Sequence, residues 1–363
     1  MRCTLGEAGS VLTLLQSIAT ATATSWKYRV PLHNAADPNT LMPVAGLGTA
    51  FHFCFNKSSG NQSFAASRMW LQLGGRRFDG ALSYGCDIGV GNAMRASGLP
   101  RSEVFFVSKI GPGGIPYPLG YNETLAQAHR ILSEFGSYLD LLLVHEPFTY
   151  WPGPWTASKN PSSDPACNLR DEHYSPRSCR LSTWRAMVAL WQAGKVRSIG
   201  VSNYNSSHIH EIEEAGLPLP SVNQIEFSPH HGPTHAPCIC GGSASRATSS
   251  CGTSPAELGE TCKGLLGYMS RRRILANGYS PFQGPAGGGS LMNEPPLAEI
   301  ATAHNVTSSQ VVLHWQWRRH GVVVNPTAHT LEYQKLNLDF FDSFWLSEAE
   351  MRLLDEWPQN PNP

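Results

Sequence analysis

From about residue 70 the chain alternates short, nearly continuous apolar runs with longer stretches whose apolar positions recur every three or four residues. The short runs are "RRFDGA" (76–81), "VFFVSKI" (104–110), "LDLLLVH" (139–145), "VRSIGVSN" (196–203), "SVNQIEF" (221–227), "RILANGYS" (273–280) and "GVVVNP" (321–326), with "VAGLGT" (44–49) ahead of them. Runs without polar alternation predict parallel strands covered on both faces. Helical spacing appears in 63–75, 122–136, 181–195 and 308–321, and Gly136 is a natural stop for the second of these. Eight strands alternating with helices predict an α/β fold, a closed (β/α)8 barrel, with an open doubly wound sheet as the alternative. "GLGT" lacks the GxGxxG spacing of a dinucleotide-binding turn, which weighs against the open sheet.

The remaining segments fit around that body. Residues 28–44 read as an N-terminal β-hairpin that plugs the lower end of the barrel, and the barrel itself runs over 28–357. Two loop insertions, 148–180 and 229–255, are rich in Pro, Ser, Trp, Gly and Cys and directly follow strands. In a barrel they lie over the C-terminal face, where active sites are built. Residues 1–27 read either as a disordered extension or as a weak targeting peptide, because Arg2 and the Val11–Ile18 patch are offset by Glu7 and several polar residues. Residues 358–363 form a short tail.

Composition narrows the classes. Lys+Arg and Asp+Glu are both 27 in 363 residues, so no charged field favours nucleic acid or an anionic membrane. No apolar run is long enough for a membrane span. A cytoplasmic location is the first expectation, and the secretory pathway or an organelle is the alternative if 1–27 is a targeting peptide. Sequons at Asn56, Asn61, Asn122, Asn205 and Asn305 lean towards that alternative. The 9 cysteines form no clean framework. Cys167 and Cys179 flank one loop, while Cys238, Cys240, Cys251 and Cys262 crowd another, near His230, His231 and His235. Their spacing lacks the paired CxxC knuckles of a zinc site, so a free-thiol or local-disulfide reading is preferred and no metal is expected.

The polar residues at strand ends give the chemistry. Asp79, Lys109 and His145 end successive strands, and Tyr84 stands in the loop after the first. Each alone has a plain structural reading, as a loop cap, a surface lysine, a core histidine or packing. Together they suit proton delivery to a carbonyl that receives hydride. A nearby ammonium lowers a phenol's pKa, and a carboxylate holds the ammonium. His145 is placed to polarise the substrate oxygen. Asn203 and Gln224 offer the donors and acceptors that suit a carboxamide such as nicotinamide, and Tyr279 offers a ring face.

With these motifs the chain resembles the aldo-keto reductases. The matching segments are "FDGALSY" (Asp79, Tyr84), "VSKI" (Lys109), "LLLVHEP" (His145), "GLGT" (Thr49), "GKVRSIGVSNY", "VNQIEF" and "GYSPF". The resemblance implies a barrel that binds NADP(H) and reduces aldehydes and ketones. It implies Asp79, Tyr84, Lys109 and His145 as catalytic residues. It further implies cofactor contacts from Thr49, Asp79, Ser202, Asn203, Gln224, Tyr279, Ser280 and Asn337, and a small-molecule carbonyl substrate. A cofactor-binding redox sensor with little turnover is the rival from another class; a metal hydrolase ranks below both.

Two departures qualify the resemblance. The family's 2′-phosphate segment is here "NPTAHTLEYQKLN" (325–337), with Thr327 for the usual Lys, Ala328 for Ser and Tyr333 for Arg. Two charge-assisted bonds are lost, so NADP(H) is favoured with NAD(H) open. His329 and Lys335 are the cations left nearby. Glu146 follows the catalytic His where an aromatic residue is common, and reads either as an exposed loop carboxylate or as a selector of a polar or cationic substrate group. The loop "QGPAGGG" (283–289) fits a cover for the cofactor pyrophosphate or a plain linker.

Overall fold

The computed structural model describes residues 28–50, 60–112, 118–147, 162–233, 262–282 and 290–357. An antiparallel pair, β1 (Arg29–Pro31) and β2 (Leu41–Pro43), precedes a sheet of parallel strands. These are β3 (Leu47–Gly48), β4 (Arg77–Asp79), β5 (Phe105–Ile110), β6 (Leu141–Val144), β7 (Ile199–Ser202), β8 (Val222–Glu226), β9 (Leu275–Tyr279) and β10 (Val323–Val324). They pair in sequence order, and each lies inside one of the eight predicted runs. A parallel bridge between Ala45 and Val324 joins the last strand to the first. Gly46 N–H donates to the Val324 carbonyl at 2.9 Å and Val324 N–H to Val44 at 3.0 Å, so the sheet closes on itself. The fold is a (β/α)8 barrel of the TIM type.

The helices are α1 (Gly60–Gln72), α2 (Asp87–Ala96), α3 (Tyr121–Phe135), α4 (Pro176–Gln192), α5 (Ser206–Glu214), α6 (Cys262–Arg271), α7 (Pro295–Ala303), α8 (Ser308–His320), α9 (Leu331–Leu336) and α10 (Glu348–Asp355). Their ends follow local chemistry. α3 stops at Gly136, which takes φ 75°, a left-handed conformation that costs glycine nothing. α8 starts in a capping box of Thr307 with Gln310 and stops at Gly321. α4 starts at Pro176 behind a Ser175 cap, five residues earlier than its apolar spacing predicts, so the end of the 148–180 insertion is helix. Phe106 of β5 and Phe135 of α3 stack at 4.1 Å, tying wall to outer layer. Truncating either costs about 3–5 kcal/mol by the usual core scale.

The β1–β2 hairpin covers the N-terminal face as predicted. Leu32 and Met42 are fully buried, and Asn34 Nδ2 donates to Pro220 and Arg272 carbonyls just ahead of β8 and β9. Cys167 and Cys179 form a disulfide that ties the loop after β6 to α4. The possible targeting segment 1–27, the tail 358–363, the Gly-rich 283–289 loop, His235, Cys238, Cys240 and Cys251 lie outside the described residues. Among the described residues no helix is long and apolar enough to cross a membrane, and no cluster of three His, Cys, Asp or Glu is placed to hold a metal.

Candidate active site

Parallel pairing brings the C-terminal ends of the strands to one face. Asp79 is the last residue of β4, Lys109 the penultimate residue of β5, and His145 follows β6 directly. Tyr84 closes a 3-10 turn, 82–84, that Gly85 ends in a left-handed conformation, φ 69°. That turn carries Tyr84 back over the mouth.

The four predicted catalytic residues meet. Lys109 Nζ donates to Asp79 Oδ1 at 2.5 Å and to the Gly80 carbonyl at 2.8 Å. It lies 5.1 Å from the centre of the Tyr84 ring. The Tyr84 hydroxyl is 3.3 Å from His145 Nε2. Burial works to discharge Lys109, but Asp79 and Tyr84 outweigh it and its pKa ends above the ordinary lysine value. Burial, with Lys109 alongside, pushes His145 well below its usual pKa, so it is a neutral imidazole. One expectation is corrected here. Lys109 does pull the Tyr84 pKa down, but burial is the larger effect and the phenol ends above its ordinary value. Tyr84 is therefore held protonated.

The residues expected at the nicotinamide form a second, connected set. Gln224 Nε2 donates to Asp79 Oδ2 at 2.7 Å, across the barrel. Tyr279 donates its hydroxyl to Asn203 Oδ1 at 2.9 Å, and Asn203 Nδ2 lies 3.1 Å from Ser202 Oγ. Asn203 takes φ 61°, a strained setting for a side chain. Thr49 spends its hydroxyl on the Asp79 carbonyl, 3.1 Å. Ser280, φ 48°, follows Tyr279 at the same rim. Asn337 is buried after α9, and no described contact joins it to the catalytic group. The fit to a carboxamide is good: a hydroxyl, two amides and a phenol ring converge beside the tetrad. At the 2′-phosphate segment Thr327, His329, Tyr333 and Lys335 are exposed, and Thr327 and Tyr333 bring no charge to it.

Glu146 is not an exposed loop carboxylate. It is 4% exposed, its Oε1 accepts from Asn203 Nδ2 at 3.0 Å, and its Oε2 has no partner. Burial pushes its pKa well above the carboxylate range. The position is covered because Asn203 bridges it to the His145 carbonyl, also at 3.0 Å. Of the histidines near the cysteine-rich segment, His230 meets Glu294 at 2.7 Å and His231 meets Glu226 at 3.7 Å.

Sequence reasoning missed two groups beside the site. Asn277 of β9 stands 3.5 Å from Asp79 Oδ2. Asp87, at the start of α2, is buried behind β5 and accepts from Ser108 Oγ at 2.6 Å. The readable signal for Asn277 was a polar residue in the middle of "LANGY", where a strand covered on both faces has no solvent to meet.

A barrel with this constellation at its C-terminal mouth defines an oxidoreductase of carbonyl compounds. The profile described as Aldo/keto reductase family matches residues 45–236. The chain is 31% identical to glyoxal reductase of Bacillus subtilis, over 94% of this chain and 98% of the relative. It is 30% identical to 9,11-endoperoxide prostaglandin H2 reductase of Trypanosoma cruzi, over 90% of each. Among solved structures, an aldo-keto reductase from a Medee basin deep-sea metagenome library superposes with a TM-score of 0.67 at 26% identity, covering 92% of this chain and 95% of that one. The chain belongs to the aldo/keto reductase family, whose members act on carbonyl compounds with nicotinamide cofactors.

Proposed function

We propose that this protein reduces an aldehyde or ketone with NAD(P)H and that Tyr84 gives the proton to the carbonyl oxygen. The observation that carries the reading is the unbroken run Asp79–Lys109–Tyr84–His145, with a neutral imidazole and a protonated phenol 3.3 Å apart. Bound reduced nicotinamide supplies the hydride. His145 Nε2 and the Tyr84 hydroxyl then hold one substrate oxygen between them, and Tyr84 delivers its proton as negative charge develops there. Lys109, anchored by Asp79, stabilises the phenolate left behind. Ser202, Asn203, Gln224 and Tyr279 are assigned to the carboxamide and ring of the cofactor.

NADP(H) is kept as the favoured cofactor on family grounds, with NAD(H) use supported by the neutral side chains at 327 and 333. Glu146, protonated in its buried setting, favours a polar neutral group on the substrate over a cationic one. A second oxygen beside the carbonyl, as in the dicarbonyl for which the Bacillus relative is named, would accept from it. On location, the Cys167–Cys179 disulfide supports the secretory or organellar alternative over the cytoplasm.

The test is loss of reduced-cofactor absorbance on adding glyoxal, methylglyoxal or benzaldehyde, with NADPH and NADH run in parallel. Oxidation with at least one pair is expected, with a smaller NADPH advantage than two phosphate-binding cations would give. Binding of cofactor without oxidation by any of the three would sink the reading in favour of a sensor.

A further inference from the structure

Arg77 carries a full charge into the barrel floor, and no step above uses it. It stands two residues before Asp79 on β4, so the pleat turns both side chains inward, with Arg77 one layer lower. It is fully buried. Its Nη2 donates to the carbonyls of Val44 at 2.9 Å and Val324 at 2.6 Å. Those same carbonyls accept the backbone bonds that close the barrel. Gly46 makes the room, since a Cβ there would lie 2.6 Å from Arg77 Nε. The other arm, Nη1, reaches Asn277 Oδ1 at 3.4 Å, and Asn277 stands 3.5 Å from Asp79. Asn325 Nδ2 donates to Asn277 Oδ1 at 2.7 Å and fixes that amide's orientation.

A neutral donor would suffice to clamp two carbonyls. Burying a guanidinium is costly: desolvation draws its pKa down to about 10 while Asp79 pulls it back up, and its Nε has no partner. Asn277 spans the two layers, 3.4 Å from Arg77 Nη1 and 3.5 Å from Asp79 Oδ2, and the charge of Arg77 adds to that bridge. What a cation adds at this spot is a second counter-charge for Asp79, whose first is Lys109.

We infer that Arg77 is a positioning residue that fixes the place of Asp79 from the barrel floor and, through Asp79, holds Lys109 against Tyr84. The inference rests on the reading of Asp79, Lys109 and Tyr84 given above. The groups that face Asp79 are Arg77 on its own strand, Lys109 from β5, Gln224 from β8, Asn277 from β9, Tyr84 from the loop above and Asp87 from the start of α2.

The experiment compares Arg77→Met, which keeps length and loses charge, with Arg77→Lys in the full chain. The pH profile of kcat for carbonyl reduction is the first readout. Arg77→Met should move the acid limb up by about one pH unit, the scale of losing a neighbouring opposite charge, while Arg77→Lys leaves it in place even at a lower Tm. An unmoved limb in Arg77→Met, or an equal shift in Arg77→Lys, overturns the inference. If Arg77→Met does not fold, Arg77→Gln takes its place as the uncharged variant, with the same two outcomes. The second readout needs no activity: unfolding midpoints of Arg77→Met in the native and Asp79→Asn backgrounds. Arg77→Met should lower the midpoint less when Asp79 is Asn, and additive shifts would count against the charge pair. Coupling in an inactive wild-type protein would leave the inference standing and remove the reductase reading. Additivity in an active one would do the reverse.

Discussion

The Tyr84 hydroxyl faces His145 Nε2 at 3.3 Å with the two rings nearly perpendicular, 80° apart. That edge-on arrangement lets the two groups share one long hydrogen bond. A 3.3 Å separation is loose for such a bond, and leaves a carbonyl oxygen free to compete for both. Tyr84 comes from the β4 loop and His145 from the end of β6, so the pair exists only once the sheet has curled.

Tyr84→Phe is expected to lower kcat by about 100- to 10,000-fold, the usual worth of a positioned general acid. Reduced-cofactor binding, followed by quenching of tryptophan fluorescence, should hold, because no cofactor-side contact involves the phenol. Retained turnover would remove Tyr84 from the proton-donor role. Loss of cofactor binding would recast it as part of the binding wall.

Asp87 gives a stability prediction with a sign. Burial pushes its carboxyl up to about 6, partly opposed by the Ser108 hydrogen bond and by Lys109. A folded-state pKa above the unfolded value means the neutral form is favoured by folding. The stabilisation is fully present below pH 4 and is lost as the pH rises through 6. Asp87→Asn keeps the shape without the charge. It should match the wild type near pH 4 and gain about 2 kcal/mol above pH 7, the shift being discounted for the helix-start preference for an acid. Urea unfolding at the two pH values measures it. A difference that does not change with pH would show that Asp87 is already relieved of its desolvation.

Much of this was legible in the chain, for reasons that also mark where legibility ended. The eight strands announced themselves because a strand covered on both faces has no polar alternation to blur it, as in "VFFVSKI" and "LDLLLV". The proposed tetrad could be picked out because Asp79, Lys109 and His145 fall at strand ends and Tyr84 in the loop just after one, positions that barrel geometry brings to one mouth. α2 escaped notice: "DIGVGNAMRA" carries two glycines that weaken its helical pattern. Gly91 is there for close packing, since a Cβ would come within 3.0 Å of the Phe135 carbonyl. Burial of Glu146 was equally invisible, because it is imposed by Asn203, 57 residues further on. The direction of the Tyr84 pKa shift was misjudged for the same reason. Sequence names the neighbouring charge, but desolvation belongs to the whole pocket.

The Cys167–Cys179 disulfide closes a loop with a sequence separation of 12 between β6 and α4. In the chain-entropy treatment such a loop contributes about 3 kcal/mol. Cys167→Ser with Cys179→Ser should therefore lower the Tm by several degrees, and dithiothreitol should lower the wild-type Tm towards the same value. A reductant-insensitive Tm, equal to that of the double variant, would mean the pair is reduced in the protein as isolated and would weaken the case for an oxidising compartment.

Glu146 tests what the pocket selects. Among the described residues its Oε2 is buried without a partner, and burial pushes its carboxyl well above the carboxylate range, which favours a proton there to offer to a substrate. A substrate with an oxygen beside the reacting carbonyl would complete that hydrogen bond; a plain aromatic aldehyde would not. Glu146→Gln retains a donor and should keep most of the activity on methylglyoxal, whereas Glu146→Leu should lose it. The loss is expected mainly in kcat/KM and by about tenfold, equivalent to one hydrogen bond of about 1.4 kcal/mol. Benzaldehyde should be reduced by Glu146→Leu as well as by the wild type, or better, because the burial cost of an unpaired acid is gone. Equal losses on both aldehydes would instead place Glu146 in support of Asn203 and the cofactor, through the 3.0 Å bond that joins them.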